Sequence, residues 1–153
     1  MAQCHLGHNC EIQDNTIIAN SALLSGYVKV EPYAFISGNV VVHQFCRIGR
    51  LSMSGGFTGV NKDVPPYMIV RGPSAIRSIN LVGLRRAGKS REVIRELMEV
   101  FKLIYMSDLR MDDVLKKIKE ECKSQEAQEI AVFIEQSKRG ICKYRYSREE
   151  YFE

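Results

Sequence analysis

Residues 24–48 read LSGYVKVEPYAFISGNVVVHQFCRI, and their spacing decides the fold. Cut every six residues, the stretch becomes LSGYVK, VEPYAF, ISGNVV and VHQFCR, with Ile48 opening the next hexad. Each hexad begins on an aliphatic side chain. Outward in both directions the register continues through Leu6, Ile12 and Ile18 on one side and, after a break at Ser54, through Val60 on the other. Four residues after each register stands a small or β-branched residue: Cys10, Thr16, Ala22, Val28, Ala34, Val40, Cys46, Ser52, Thr58 and Val64. A helix repeats every 3.6 residues and a half-buried strand every two, so neither gives this pattern. A solenoid of short strands and turns does. Three hexads make one triangular coil; the aliphatic residue fills the interior, and the small one lets the chain turn without overfilling it.

In such a coil, residues eighteen apart lie one above another, about 4.8 Å apart. The register therefore gathers residues that are distant in the chain. His8 lies in the hexad at 6, Tyr27 in the hexad at 24 and His43 in the hexad at 42, all on one prism face. They are offset by a residue or two, which makes them neighbours along one outward edge. His5 precedes the first register and reaches the same corner region. The same arithmetic puts Cys10 and Cys46 two coils apart, roughly 9.6 Å, beyond the reach of a disulfide.

The period stops after KDVPPY (residues 62–67), where two prolines lack the N–H that a strand ladder needs. The pattern beyond is helical. Val93, Ile94, Leu97, Val100, Phe101, Ile104 and Tyr105 form one apolar stripe, with Ser90 as N-cap. Val114, Leu115, Ile118 and Cys122 mark a second helix. Ala127, Ile130, Ala131, Phe133 and Ile134 mark a third that stops before Gly140. The tail KYRYSREEYFE is polar with scattered aromatics. The reading is thus two units: a hexapeptide-repeat β-helix over 1–72 and an α-helical domain over 73–153.

The totals limit the function. The chain has 153 residues, 45% hydrophobic and 26% charged, the composition of an ordinary globular protein. No apolar run approaches the roughly 20 residues of a membrane span. The amino terminus has neither a basic nor an apolar signal region, and the five cysteines are odd in number without a CxxC pair, so a cytoplasmic location is expected. Only His5, His8, Cys4 and Cys10 cluster, too few short-spaced ligands for a zinc site, and no metal is expected. Charge is uneven. Residues 1–66 hold four basic and four acidic groups, whereas 67–91 hold six basic residues (Arg71, Arg77, Arg85, Arg86, Lys89, Arg91) and no acid. Such an excess steers an anionic partner: a nucleotide, an acidic protein or nucleic acid. No recognised nucleic-acid module is present, so nucleic acid is not expected.

HLGHNC, SGYVKV, VVVHQFCRIG, GGFTGVNKDVPPY, NLVGLRRAGKS and FKLIY together carry a resemblance. The chain resembles the bacterial UDP-N-acetylglucosamine O-acyltransferases that open lipid A synthesis. The similarity runs from about Gln3 to Arg139, and the combination of HQF, DVPPY and a helical tail is specific to it. The resemblance implies a left-handed parallel β-helix in a homotrimer. It implies transfer of an R-3-hydroxyacyl group from acyl carrier protein to the 3-hydroxyl of UDP-N-acetylglucosamine. No cofactor is implied beyond the carrier's phosphopantetheine, which holds the acyl donor. By resemblance His8 is the general base and Gly26 the oxyanion donor, while His5, Asn9, Tyr27, His43, Gln44, Asn80 and Arg86 bind substrate. Gly56 ends the acyl tunnel, and Arg85, Arg86 and Lys89 receive the carrier protein. The family usually begins with several more coils, has histidine where this chain has Tyr27 and aspartate where it has Asn9, and is polar where it has Val82 and Ala87. Two alternatives therefore stand beside an active transferase. One is a truncated, catalytically weak or inactive trimeric homologue that keeps carrier binding. The other is a related hexapeptide acyltransferase with a different acceptor.

Overall fold

A computed structural model of the chain describes residues 2–146; residues 147–153 of the tail lie outside the described residues. Ten two-residue strands follow one another at six-residue intervals: β1 (His5–Leu6), β2 (Glu11–Ile12), β3 (Ile17–Ile18), β4 (Leu23–Leu24), β5 (Lys29–Val30), β6 (Phe35–Ile36), β7 (Val41–Val42), β8 (Arg47–Ile48), β9 (Met53–Ser54) and β10 (Gly59–Val60). They sort into three parallel faces, β1-β4-β7-β10, β2-β5-β8 and β3-β6-β9. Leu6 pairs with Leu24, Leu24 with Val42, and Val42 with Val60, so the eighteen-residue coil is as the register predicts. The architecture is a parallel β-helix, consistent with the left-handed hexapeptide class.

Each register residue points inward. Leu24, Val30, Ile36, Val42 and Ile48 are fully buried, each contributing about 1.5–3 kcal/mol. Leu6 and Ile12 remain 40% and 36% exposed, because no described residue covers the first coil. Every corner turns through one residue with φ between 53° and 64°, from Asn9, Asn15 and Ser21 to Tyr27, Tyr33, Asn39, Phe45, Leu51 and Phe57. The left-handed conformation there sends the chain on to the next face.

One element departs from the sequence reading. The pattern after Tyr67 reads as helical, yet β11 (Met68–Arg71) and β12 (Ala75–Ile79) form an antiparallel hairpin. β11 lies parallel to β9 and so continues the third face, before β12 reverses. Strands of four and five residues joined as a hairpin leave no six-residue period to detect. The expected boundary between residues 72 and 73 falls at the tip of this hairpin. The crossover before it explains Gly49: a Cβ there would lie 2.4 Å from the Pro66 nitrogen, so the Pro65–Pro66 segment can pass close only over a glycine.

Four helices follow: α1 (Leu81–Arg86), α2 (Arg91–Tyr105), α3 (Met111–Glu121) and α4 (Gln125–Glu135). The expected cap of α2 is present, with Ser90 Oγ accepting from Val93 N at 3.2 Å. Leu97, Val100, Phe101 and Ile104 are buried, as the stripe requires. After α4, β13 (Lys143–Tyr144) joins β12 in parallel. The helices are tied to the prism by polar groups as well as packing. Glu129 accepts from Arg50 Nε at 2.9 Å and from the Tyr67 hydroxyl. Asp63 accepts from Arg47 N at 2.8 Å and from Ser137 Oγ at 2.6 Å. The Arg47 guanidinium lies 4.0 Å from the centre of the Phe133 ring.

All five cysteines are free, and Cys10 and Cys46 form no bridge. Burial pushes the Cys46 thiol up to about 11 and the Cys142 thiol up to about 12, so both stay protonated packing groups.

Candidate active site

The corner between the first and second faces carries His8 and His43. His8, Tyr27 and Phe45 come from three successive coils, and Tyr27 touches both of the others. The His8 and Tyr27 rings are perpendicular with centroids 5.0 Å apart, and Tyr27 stacks on Phe45 at 5.0 Å and 12°. Asn9 Oδ1 lies 3.2 Å from His8 Nδ1. That contact favours a proton on Nδ1 and leaves the Nε2 lone pair open.

Gly26 explains why the imidazole can sit where it does. A Cβ built on Gly26 would lie 2.8 Å from both Cε1 and Nε2 of His8. Only a residue without a side chain lets the ring lie against the backbone. The coil-to-coil ladder here runs through Ser25, which donates to Val42 O at 3.0 Å, and Tyr27, which donates to His8 O at 2.9 Å. Among the described residues the Gly26 N–H takes no part in that ladder. An open ring nitrogen thus lies over the backbone of a residue whose N–H is uncommitted, the two kinds of group that a base-assisted acyl transfer requires.

Other expected residues are placed differently. His43 and Gln44 are exposed at the same corner, with His43 Nδ1 3.2 Å from Gln44 O. His5 is exposed on β1 of the first face, paired across from Leu23, three residues short of the corner. Asn80 is only 8% exposed and holds α1 in place, accepting from Gly83 N at 3.0 Å and donating to Leu51 O at 2.9 Å. Arg86 is exposed at the end of α1, beside the third face. Gly56 is exposed at the corner between the third and first faces. Within one chain, His8, Gly56 and Arg86 thus occupy three separate regions.

Two features escaped the sequence reading. An apolar groove of about 590 Å³ runs along the third face, floored by Ile17, Phe35 and Met53 and walled by Tyr33, Leu51, Val82 and Arg86. Its signal was present: the residue before each register is Ile17, Phe35 or Met53 on the third face and Glu11, Lys29 or Arg47 on the second, while the first is mixed, with His5, Leu23, Val41 and Gly59. The second is the place of Arg95 and Ile94 in a basic groove of about 540 Å³, beside Arg85, Lys89 and Arg91, which the sequence reading already singles out. Of the expected carrier-binding residues, Lys89 already pairs with Glu126 at 2.5 Å, while Arg85 is exposed.

The family profile described as UDP N-acetylglucosamine O-acyltransferase, domain 2, matches residues 63–142. The chain belongs to that family. The acyl-[acyl-carrier-protein]–UDP-N-acetylglucosamine O-acyltransferase of Gloeothece citriformis is 44% identical over 138 residues, covering 90% of this chain and 50% of its own length. That of Halorhodospira halophila is 41% identical over 143 residues, covering 92% of this chain and 55% of its own. The solved UDP-N-acetylglucosamine acyltransferase of Francisella novicida superposes with a TM-score of 0.89 at 35% identity, covering 94% of this chain and 53% of that one. The chain spans about half the length of the curated relatives it matches.

Proposed function

We propose that this chain acts in transferring an R-3-hydroxyacyl group from acyl carrier protein to the 3-hydroxyl of UDP-N-acetylglucosamine, opening lipid A synthesis in the cytoplasm. The observation that carries the reading is the His8 ring lying against Gly26, whose N–H stands outside the ladder. The names of the relatives supply the substrates. In this reading His8 Nε2 removes the proton of the sugar hydroxyl as its oxygen attacks the thioester carbonyl. Gly26 N–H receives the developing oxyanion. Collapse breaks the carbon–sulfur bond, and the proton on His8 passes to the departing thiolate.

The same proposal includes a homotrimer. The first face exposes Leu23 (44%) and Val41 (49%), the third face exposes Ile17 (56%), and Phe57 (82%) stands on the corner between them. The second face is charged instead, with Lys29 and Glu11 paired at 2.9 Å. Three prisms with the Phe57 corner inward would pack the first face of one copy against the third face of the next. His8 of one copy would then open onto the apolar groove and Arg86 of its neighbour, with Gly56 near the axis. The separation of these groups within one chain supports this arrangement. The test is a transfer assay with hydroxyacyl carrier protein and UDP-N-acetylglucosamine, paired with analytical sedimentation. Ester formation by a trimer is expected; a stable monomer at micromolar concentration, or a trimer that makes no ester, would overturn the reading.

Two outcomes follow for the partners. Replacing Arg85 and Arg91 with alanine should raise KM for the carrier-bound donor about tenfold at low salt and less at about 0.15 M, with the nucleotide-sugar KM unchanged. Gly56→Met should shift preference toward shorter hydroxyacyl donors by about tenfold, since each methylene is worth about 0.8 kcal/mol. The fold accommodates that change, because a Cβ at Gly56 meets only Gly38 O at 3.6 Å. Competition between donors of graded length reads the result.

A further inference from the structure

Phe45 has no part in the reaction proposed above, yet it is the far end of a column that reaches the base. Residues 9, 27 and 45 hold the same corner position in three successive coils, with φ of 58°, 60° and 64°. Left-handed backbone is readily taken by asparagine, as at Asn9, Asn15 and Asn39, and is uncommon for bulky side chains in general, although Tyr33, Leu51 and Phe57 also take it at other corners of this prism. Two aromatic rings nevertheless stand there, and burial does not account for them: Tyr27 is 44% and Phe45 52% exposed. What the rings do is contact one another. Phe45 lies nearly parallel to Tyr27, and Tyr27 meets His8 at 90°.

We infer that Phe45, acting through Tyr27, is a positioning residue that fixes the plane of the His8 imidazole against Gly26. The inference rests on the reading of His8 as the general base. An exposed histidine turns freely about both side-chain bonds unless neighbours restrict it. Asn9 Oδ1 restrains Nδ1 at 3.2 Å, and the Gly26 backbone lies against the ring. The perpendicular Tyr27 ring closes a third side in the arrangement aromatic quadrupoles favour. Tyr27 is itself exposed, and its own orientation is held by stacking on Phe45. The main chain joins the same column: Tyr27 N donates to His8 O at 2.9 Å, and Phe45 N donates to Gly26 O at 3.2 Å.

The test uses the 153-residue chain carrying Phe45→Leu, Phe45→Tyr or Tyr27→Leu. The first reading is the ¹H–¹³C signals of the His8 ring, assigned by their loss in His8→Gln. Phe45→Leu keeps an apolar side chain but removes the stacking plane. It should move the His8 signals, as should Tyr27→Leu, while Phe45→Tyr leaves them in place. The second reading is turnover. In Phe45→Leu, kcat should fall about tenfold with KM for the nucleotide sugar within about twofold, the pattern of a misplaced group rather than lost binding. Phe45→Tyr should restore it. Unmoved His8 signals in both leucine variants would overturn the inference, as would moved signals with unchanged kcat or failure of Phe45→Tyr to restore. If the wild-type chain transfers no acyl group, the functional reading fails separately, and the ring signals still decide whether Phe45 orients His8.

Discussion

Alanine at position 8 is expected to lower kcat by about 10²–10⁴-fold, the usual weight of a general base. The oligomeric state and the thermal midpoint should hold, because His8 is exposed and its backbone bonds do not involve the ring. What the substitution removes is the one imidazole that lies against an uncommitted backbone donor. His43 cannot replace it from two coils away, roughly 9.6 Å by coil spacing. Steady-state rates at saturating donor, with sedimentation of the same sample, check the outcome. A variant that loses assembly along with activity would mark His8 as structural.

Gly26→Ala should cost about as much, near 10²–10³-fold in kcat, through a single added carbon. The Cβ would arrive 2.8 Å from Cε1 and Nε2 of His8, closer than such atoms approach. The atoms in its way belong to the end of a flexible side chain, so the coil stays intact and the imidazole moves. The variant therefore separates geometry from stability: unfolding should remain within a few degrees of wild type while catalysis is lost. A crystal structure of the variant should show the His8 ring displaced from position 26. If the ring is displaced and kcat is unchanged, the contact between His8 and Gly26 is not part of the reaction.

The two variants test parts of the molecule that were legible to different degrees. The prism was written in the chain because each coil repeats the same demand: one aliphatic side chain inward, one small residue at the bend. Stacking then placed His8 beside Tyr27 although nineteen residues separate them. Even the break at Ser54 kept its register, pairing with Ile36. Phe45 was harder to see, because a solvent-exposed ring leaves no hydrophobic period. The 68–79 hairpin was missed because its strands are too short to stand against the helical stripe that follows. Asn80 and Lys89 show a further limit. Both carry their expected ligand roles by resemblance alone; the structure adds intrachain partners, Gly83 and Leu51 for the Asn80 amide and Glu126 for Lys89, across a gap in sequence that no local pattern spans. The outward apolar residues repeat only once per eighteen positions, so the groove they floor appears only after the coil is known.

That eighteen-residue ladder also constrains how such a protein can change. A single inserted residue anywhere in 6–60 would turn every later aliphatic side chain off the interior, whereas a whole inserted coil would leave each one facing inward. Size is therefore quantised. His8 stands in the first described coil and Gly56 in the third, so an added coil between them would lengthen their axial separation by one strand spacing, about 4.8 Å. If the proposed transfer holds, fine adjustment of the acyl length would come from side chains such as the one absent at Gly56, and coarse adjustment from duplication of an entire turn.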